Sequence, residues 1–213
     1  MNDMDDKIFS PFGPSICKVK IPKNLQDELN IYVEEVIKNK KKAKELDHGK
    51  NLAGNVNQEI KLEENYMTKI GWDRFLANSV GNWINAYNGK KISSFKLVSS
   101  WIVRQFKNEY NPTHWHGGHV SGVGYLKVPK KFGDTFQKSK PNFNGYLQLI
   151  HGSKMFLCNS TLEIKPEVGD FYFFPNYLMH TVFPFTDTDE ERRSVSFNAY
   201  IDPKIHDVYG KHQ

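Results

Sequence analysis

The chain has 213 residues, about 38% of them hydrophobic and 14% aromatic, with a formal net charge of +5. That is long enough to bury a real core as one domain and too apolar for the disordered class. Lysine carries the positive excess, since there are only four arginines (Arg74, Arg104, Arg192 and Arg193). The lack of clustered arginine interleaved with aromatics argues against a nucleic-acid partner.

The two cysteines, Cys17 and Cys158, sit among strand-like apolar neighbours and form neither a disulfide framework nor a CxxC site. A reducing compartment fits that usage. The acidic opening "MNDMDDK" is unlike a secretory signal, and no apolar run reaches the roughly 18 residues that span a bilayer. The expectation is a cytoplasmic protein with no membrane partner.

In chain order, Leu25, Leu29, Tyr32, Val33, Val36 and Ile37 recur every three or four residues. They predict an amphipathic helix with Asn24 as its N-cap. The basic run "KNKKKAKE" from Lys38 reads as a solvated face at the end of that pattern. "LDHGKNLAGNVNQEIKLEEN" is polar and punctuated by glycine, and reads as a loop or crossover; residues 44–66 can also serve as a lid. A second helix is predicted from Tyr66 to Tyr87, burying Leu76, Val80, Trp83, Ile84 and Tyr87 and stopped by Asn88-Gly89.

From Ile92 the texture changes to short β-rich runs: "SSFKLV", "SWIVRQF", "HWH", "SGVGYLKV", "GYLQLIH", "MFLCN", "TLEIKP", "DFYFFP", "HTVFPF" and "RRSVSFNAYI". Many short strands at close spacing indicate a sandwich or jelly roll, with the leading helices packed on one sheet. The fold class expected is α+β, as one domain over residues 1–213, with helical support over 1–90 and the β core over 91–203.

The stretch "NPTHWHGGH" (111–119) concentrates three of the eight histidines. Residues i and i+2 of a strand share a face, so His114 and His116 project together and can both reach one metal ion, with Trp115 opposite. A third ligand must come from elsewhere. His180, in "GDFYFFPNYLMHTVFPF", is the best placed, and His119, beyond two glycines, is a weaker choice. The run after His180 ends in "RRSVSFNAYI". There Arg192 can grip a carboxylate through its two-pronged guanidinium, and Ser194 on the same face adds a hydroxyl. Alternation alone does not choose between Arg192 and Arg193, and both also suit a surface pair after "DTDEE".

"NPTHWHGGHVSGVGYLKVP", "VGDFYFFPNYLMHTVFPF" and "RRSVSFN" together resemble the iron(II)- and 2-oxoglutarate-dependent oxygenases. The likeness is to a small group of them, many from phages and marine bacteria, with His-x-His, Ser-Gly-Val-x-Tyr, a distal His and Arg-x-Ser. It runs from about Trp101 to Ile201. The resemblance implies a double-stranded β-helix (a jelly-roll barrel) with iron at its mouth. It implies His114, His116 and His180 as metal ligands, and Arg192, Ser194 and Tyr125 as residues binding the far carboxylate of 2-oxoglutarate. It favours Arg192 over Arg193 through alignment of the "SVSFN" tail. Lys127, on Tyr125's face, is a further cosubstrate candidate. Iron(II), 2-oxoglutarate and O2 are the implied cofactors and cosubstrates. The implied reaction is hydroxylation of an unidentified substrate, a prolyl residue of a protein or peptide being one choice and a small molecule another.

The superfamily's usual ligands are two histidines and a carboxylate, and here His116 takes the carboxylate's place. Three neutral imidazoles leave the site more positive by one charge, which a 2-oxoglutarate dianion offsets in a low-dielectric barrel. Two other readings stand beside this one: a cupin-like three-histidine dioxygenase that does not use 2-oxoglutarate, and a non-catalytic metal- or ligand-binding jelly roll. Trp101, Phe106, Trp115, Phe173 and Phe174 are candidates either to wall the site or simply to pack the core. The lysine-, phenylalanine- and proline-rich stretch 127–145 is the longest candidate for a substrate-selecting loop.

Overall fold

The structure is a computed structural model and describes residues 12–209. The acidic opening "MNDMDDK" and His212 lie outside the described residues. Strand β1 (Cys17–Lys20) leads into α1 (Lys23–Lys38) and the short α2 (Lys40–Glu45). After a 3-10 turn come β2 (Gln58–Lys61), α3 (Glu64–Ile70) and α4 (Trp72–Asn88). The remainder is mostly strand: β3 (Phe95–Gln105), β4 (Asn111–His114), β5 (Val120–Lys127), β6 (Leu147–Ile150), β7 (Thr161–Ile164), β8 (Asp170–Pro175), β9 (Met179–Val182) and β10 (Arg192–Ile201). The short helix α5 (Pro203–His206) follows.

The strands form two antiparallel sheets, one of six in the order β1-β8-β5-β10-β3-β2 and one of four in the order β4-β9-β6-β7. Period-two alternation gives the larger sheet two unlike faces. From β10, Val195, Phe197 and Ala199 pack with Leu29, Val33, Trp72, Leu76 and Val80 of the helices. From the other face, Val123 and Phe174 pack with Leu147, Leu149, Ile164 and Val182, which come mainly from the smaller sheet. The helices therefore cover one side of the six-stranded sheet and the four-stranded sheet covers the other.

Several boundaries differ from the sequence reading, each for a local reason. Asn24 is not an N-cap: α1 starts at Lys23 behind Pro22, whose fixed φ begins the turn. The basic run forms its own helix because Asn39 interrupts α1 and accepts from the amides of Lys41 and Lys42. The predicted second helix is two, broken at Gly71, whose φ of 81° suits glycine and closes α3 on Met67 and Thr68. Its apolar period survives the break because Met67, Trp72, Leu76 and Val80 all enter the same core. Tyr87 is exposed and not on the buried face. The runs "SSFKLV" and "SWIVRQF" are one continuous strand, β3. "MFLCN" is a turn closed by Met155 and Cys158, with Cys158 exposed. The segment read as a loop holds β2, a polar four-residue edge strand that only pairing with β3 makes visible.

Candidate functional site

Strand pairing sets His114 on β4 directly opposite His180 on β9, which is also opposite Leu149 on β6. His116 lies just past the end of β4, so its convergence does not come from strand alternation as expected. It is held by a separate clamp: its amide donates to the Asn176 carbonyl (3.1 Å) and its carbonyl accepts from the Asn176 side chain (3.1 Å). The ring stands edge-on to Trp101 at 5.7 Å. The result is a compact cluster. Ring centroids lie 4.3 to 4.9 Å apart, and one ring nitrogen of each histidine falls within 4.8 Å of the others.

Hydrogen bonds choose the tautomers. His180 Nδ1 is 2.9 Å from the Leu178 carbonyl and His114 Nδ1 is 2.6 Å from the Pro112 carbonyl. A carbonyl only accepts, so both Nδ1 atoms carry the proton and both Nε2 atoms keep a lone pair, that of His180 facing His116 Nε2 at 3.2 Å. Backbone-fixed tautomers of this kind orient metal-binding histidines. Burial first, and the neighbouring imidazoles second, push His116 down to about 3 and His180 to about 4. His114 is lowered by burial as well. All three rings are therefore neutral near pH 7. A histidine titrates near 6.5 when unfolded, so the unfolded chain binds more protons as the pH falls below that value. The stability these rings allow is complete above about pH 6.5 and is lost on acidification toward 4. The urea midpoint of the metal-free protein should accordingly fall from pH 7 to pH 5, and fall less in His116→Gln; equal slopes in the two proteins would remove this cause.

A second polar feature continues the inner row of β10. Ser196 and Ser194 line the histidine cavity together with Trp101, Val103 and Val123, a narrow space of about 30 Å³ that is partly open to solvent. Two residues further along the same face, roughly 7 Å by strand rise, Arg192 is 1% exposed. One of its nitrogens donates to Gln105 Oε1 (3.1 Å), while Nε and Nη2 have no partner. Its guanidinium carbon lies 5.0 Å from the Tyr125 ring, and the buried Tyr125 hydroxyl lies near enough to interact with it but makes no well-formed hydrogen bond. Burial raises the tyrosine to about 12 and lowers the arginine. A buried guanidinium with two idle donors is costly unless an anion reaches it, and no carboxylate among the described residues bonds it.

Arg193 points to the opposite face and is already satisfied. It pairs with Glu191 (2.7 Å) and Glu34 (2.8 Å) and donates to Asn30 (2.9 Å). Glu191 also binds Arg104 at 2.8 Å, and both arginines hold its carboxyl below the usual range against the effect of burial. Removing one member of a buried network of this kind costs about 3 kcal/mol or more. Glu191→Ala should therefore lower unfolding stability by that amount, whereas Asp189→Ala, which loses one exposed pair with Lys107, should change it by roughly 0.5 kcal/mol at most. Chemical denaturation compares them directly.

Other sequence candidates are redistributed. His119 is not with the three histidines: it stacks on His206 at 3.7 Å and accepts from the Ile201 amide. Lys127 reaches outward to Glu34. Trp101 borders the cavity and Phe174 meets His180 edge-on at 5.0 Å. Phe173 belongs to the helix-side core, Trp115 is exposed, and Phe106 lies under Arg104. Asn176, Gln105, Asn111 and Glu59 all attend the site, and the sequence reading assigned none of them. Asn176, beside Pro175 in the turn before His180, is the one a closer look at that turn would have found.

Residues 99–198, just under half of the chain, match the model of a family described as "Putative 2OG-Fe(II) oxygenase". That span contains the three histidines, Tyr125, Arg192 and Ser194. No curated protein sequence matches the chain. Among solved structures, the viral collagen prolyl hydroxylase of Paramecium Bursaria Chlorella virus-1, in complex with 2OG, has 15% identity and a TM-score of 0.53, covering 86% of this chain and 94% of that one. The Pseudomonas putida prolyl-4-hydroxylase has 15% identity and a TM-score of 0.52, covering 86% and 91%. The Trichoplax adhaerens prolyl hydroxylase, in complex with a hypoxia inducible factor oxygen degradation domain peptide fragment, has 17% identity and a TM-score of 0.52, covering 90% and 85%. At such identities the likeness establishes a shared fold. Among the described residues, no helix is long and apolar enough to cross a membrane.

Proposed function

We propose that this chain is an iron(II)- and 2-oxoglutarate-dependent oxygenase, built as a single double-stranded β-helix domain with the helices before residue 91 as its support. The observation that carries the reading is the pairing, in one sandwich, of three inward lone-pair imidazoles with a buried arginine that lacks an anion. His114, His116 and His180 would hold the metal: their ring nitrogens are close and neutral, and backbone carbonyls orient the rings of His114 and His180. Arg192 and Tyr125 would hold the far carboxylate of 2-oxoglutarate, satisfying Arg192 Nε and Nη2 and the Tyr125 hydroxyl, with Ser194 adding a donor beside them.

When bound, iron(II) and 2-oxoglutarate supply oxidative decarboxylation by O2, in which one oxygen atom enters succinate, CO2 leaves, and the other oxygen converts a substrate C–H to C–OH. The protein's part is to bind, to orient and to keep water out. Trp101 and Phe174 wall the imidazoles with apolar surface, and Gln105 Oε1 accepts from one guanidinium nitrogen of Arg192. Three solved structures of similar fold are prolyl hydroxylases, which makes a proline-containing peptide the first substrate to assay. A cytoplasmic setting agrees with the cysteine usage.

The test is calorimetric titration of 2-oxoglutarate into the manganese-loaded protein without oxygen, followed by succinate formation from 2-oxoglutarate with iron(II) and O2. Saturable binding that requires the metal, with succinate formed, is expected. Metal binding without any 2-oxoglutarate binding would transfer the case to a three-histidine dioxygenase of the cupin kind, and no metal binding at all to a ligand-binding jelly roll.

A further inference from the structure

Glu59 on β2 is the other buried charge of this cavity. The residue is 2% exposed, lines the space together with the three histidines, and its Oε2 has no hydrogen-bond partner. Asn111, at the start of β4, lines the same space, and its buried Oδ1 is also without a partner. The two groups converge. A Cβ placed on Gly54 would lie 2.7 Å from Glu59 Oε1 and 2.7 Å from Asn111 Oδ1, so both oxygens pack close to the Gly54 backbone and a side chain at residue 54 would collide with them.

The segment carrying Gly54 is fastened over the cavity. Asn55 exchanges backbone hydrogen bonds with Tyr110 (2.9 and 3.3 Å), and the Asn57 amide donates to Glu109 (3.1 Å). Leu52 and Ala53 add to the cavity wall. None of this neutralises Glu59. Arg104, the nearest arginine along β3, is committed to Glu191 and Gln58, and the charge acting on Glu59 is Asp47, of the same sign. Burial, reinforced by Asp47, raises the carboxyl to about 7. A buried acid that titrates near neutrality beside an unpartnered amide oxygen carries a cost that a donor from outside would relieve.

We propose that Glu59 and Asn111 form the substrate subsite and receive a cationic nitrogen, an ammonium or guanidinium, whose N–H groups donate to Asn111 Oδ1 and to the Glu59 carboxyl group, whose Oε1 faces the same point. Two unpartnered oxygens select against an anionic or acceptor-only group, and a cation arriving beside Glu59 favours its ionised form and gains more from it than a neutral amide does. This deepens the oxygenase reading by naming the substrate's handle: a basic group carried close to the carbon presented to the histidine cluster. Either a free amine or the basic side chain of a peptide offers it.

The experiment uses the full chain, with and without manganese and 2-oxoglutarate, and titrates n-propylamine and methylguanidine by ligand-observed NMR, with n-propanol and N-methylacetamide as neutral counterparts. The cations are expected to bind at least tenfold more tightly than the neutral probes. That preference should fall at least tenfold in Glu59→Gln, which keeps shape and fold, and in Gly54→Ala, which places a methyl between the two oxygens. Equal binding of charged and neutral probes, or an unchanged preference in Glu59→Gln, overturns the subsite, as does the absence of any cation binding. A carboxyl and amide bonded only to one another would give that last result. Because the metal-free arm needs no 2-oxoglutarate, and the 2-oxoglutarate titration is run in parallel, the subsite and the oxygenase reading can fail separately. A Pro-Lys-containing peptide compared with free lysine then tells which source of the nitrogen the cavity prefers.

Discussion

Replacing Arg192 by alanine is expected to weaken 2-oxoglutarate binding by about a hundredfold or more while leaving manganese affinity within a factor of two. The guanidinium is almost wholly buried, and two of its nitrogens have no acceptor within the protein. A carboxylate arriving there gains a charge-assisted, two-pronged contact, and deleting one partner of such a buried pair costs about 3–5 kcal/mol. Part of that loss is the carboxylate's own desolvation, which alanine leaves unrelieved. The metal should not notice, because Arg192 contacts none of the three imidazoles. Arg192→Lys separates charge from geometry: a lysine restores the positive charge but not the fork, and should recover only part of the affinity. Calorimetry on the manganese-loaded protein without oxygen reads both constants. If affinity for 2-oxoglutarate were unchanged in Arg192→Ala, the idle guanidinium would belong to another ligand. Arg193→Ala supplies the contrast. Its side chain already has Glu191, Glu34 and Asn30 as partners, so the expected loss is of folding stability and not of cosubstrate.

That contrast also marks what local sequence can carry. Residues 192 and 193 are adjacent arginines after one acidic turn, and period-two alternation says only that they face apart. Which face meets helices and acids, and which meets a cavity, depends on how β10 sits between β3 and β5, a long-range fact. The helices were legible because Leu25, Leu29, Val33 and Val36 repeat with the helical period and enter one core. The break at Gly71 was not, since the apolar period runs through it unbroken. β2 was invisible for the opposite reason. Four residues with one aliphatic side chain have no pattern of their own, and Ile60 and Glu59 take opposite faces only once paired to β3. Glu59 was lost with it: a glutamate in a polar stretch looks solvated until the sheet buries it. The histidines were legible in identity but not in mechanism. Spacing suggested a shared strand face for His114 and His116, whereas the chain leaves the strand after His114 and Asn176 brings His116 back.

His116 is where the charge argument can be tested hardest. Alanine there removes one of three ring nitrogens that lie within 4.8 Å of one another. On the proposed assignment of His116 as a ligand, its loss should weaken manganese binding by more than about a hundredfold, since even outer partners of ligands are worth 10- to 100-fold. Aspartate is the more informative change, because it restores the two-histidine, one-carboxylate set. Metal affinity is then expected to stay within about tenfold of the parent. The added negative charge, however, acts on a dianionic cosubstrate inside a poorly screened sandwich. At an effective dielectric near 20, a unit charge about 10 Å away is worth about 1.7 kcal/mol, so 2-oxoglutarate should bind roughly ten- to thirtyfold more weakly in His116→Asp than in the parent. The same substitution should leave n-propylamine binding at Glu59 intact or slightly tighter, because one more acid near that cavity favours a cation. Tighter 2-oxoglutarate binding in the aspartate variant would mean that the third imidazole is not there to balance charge, and that ligand geometry alone explains its place.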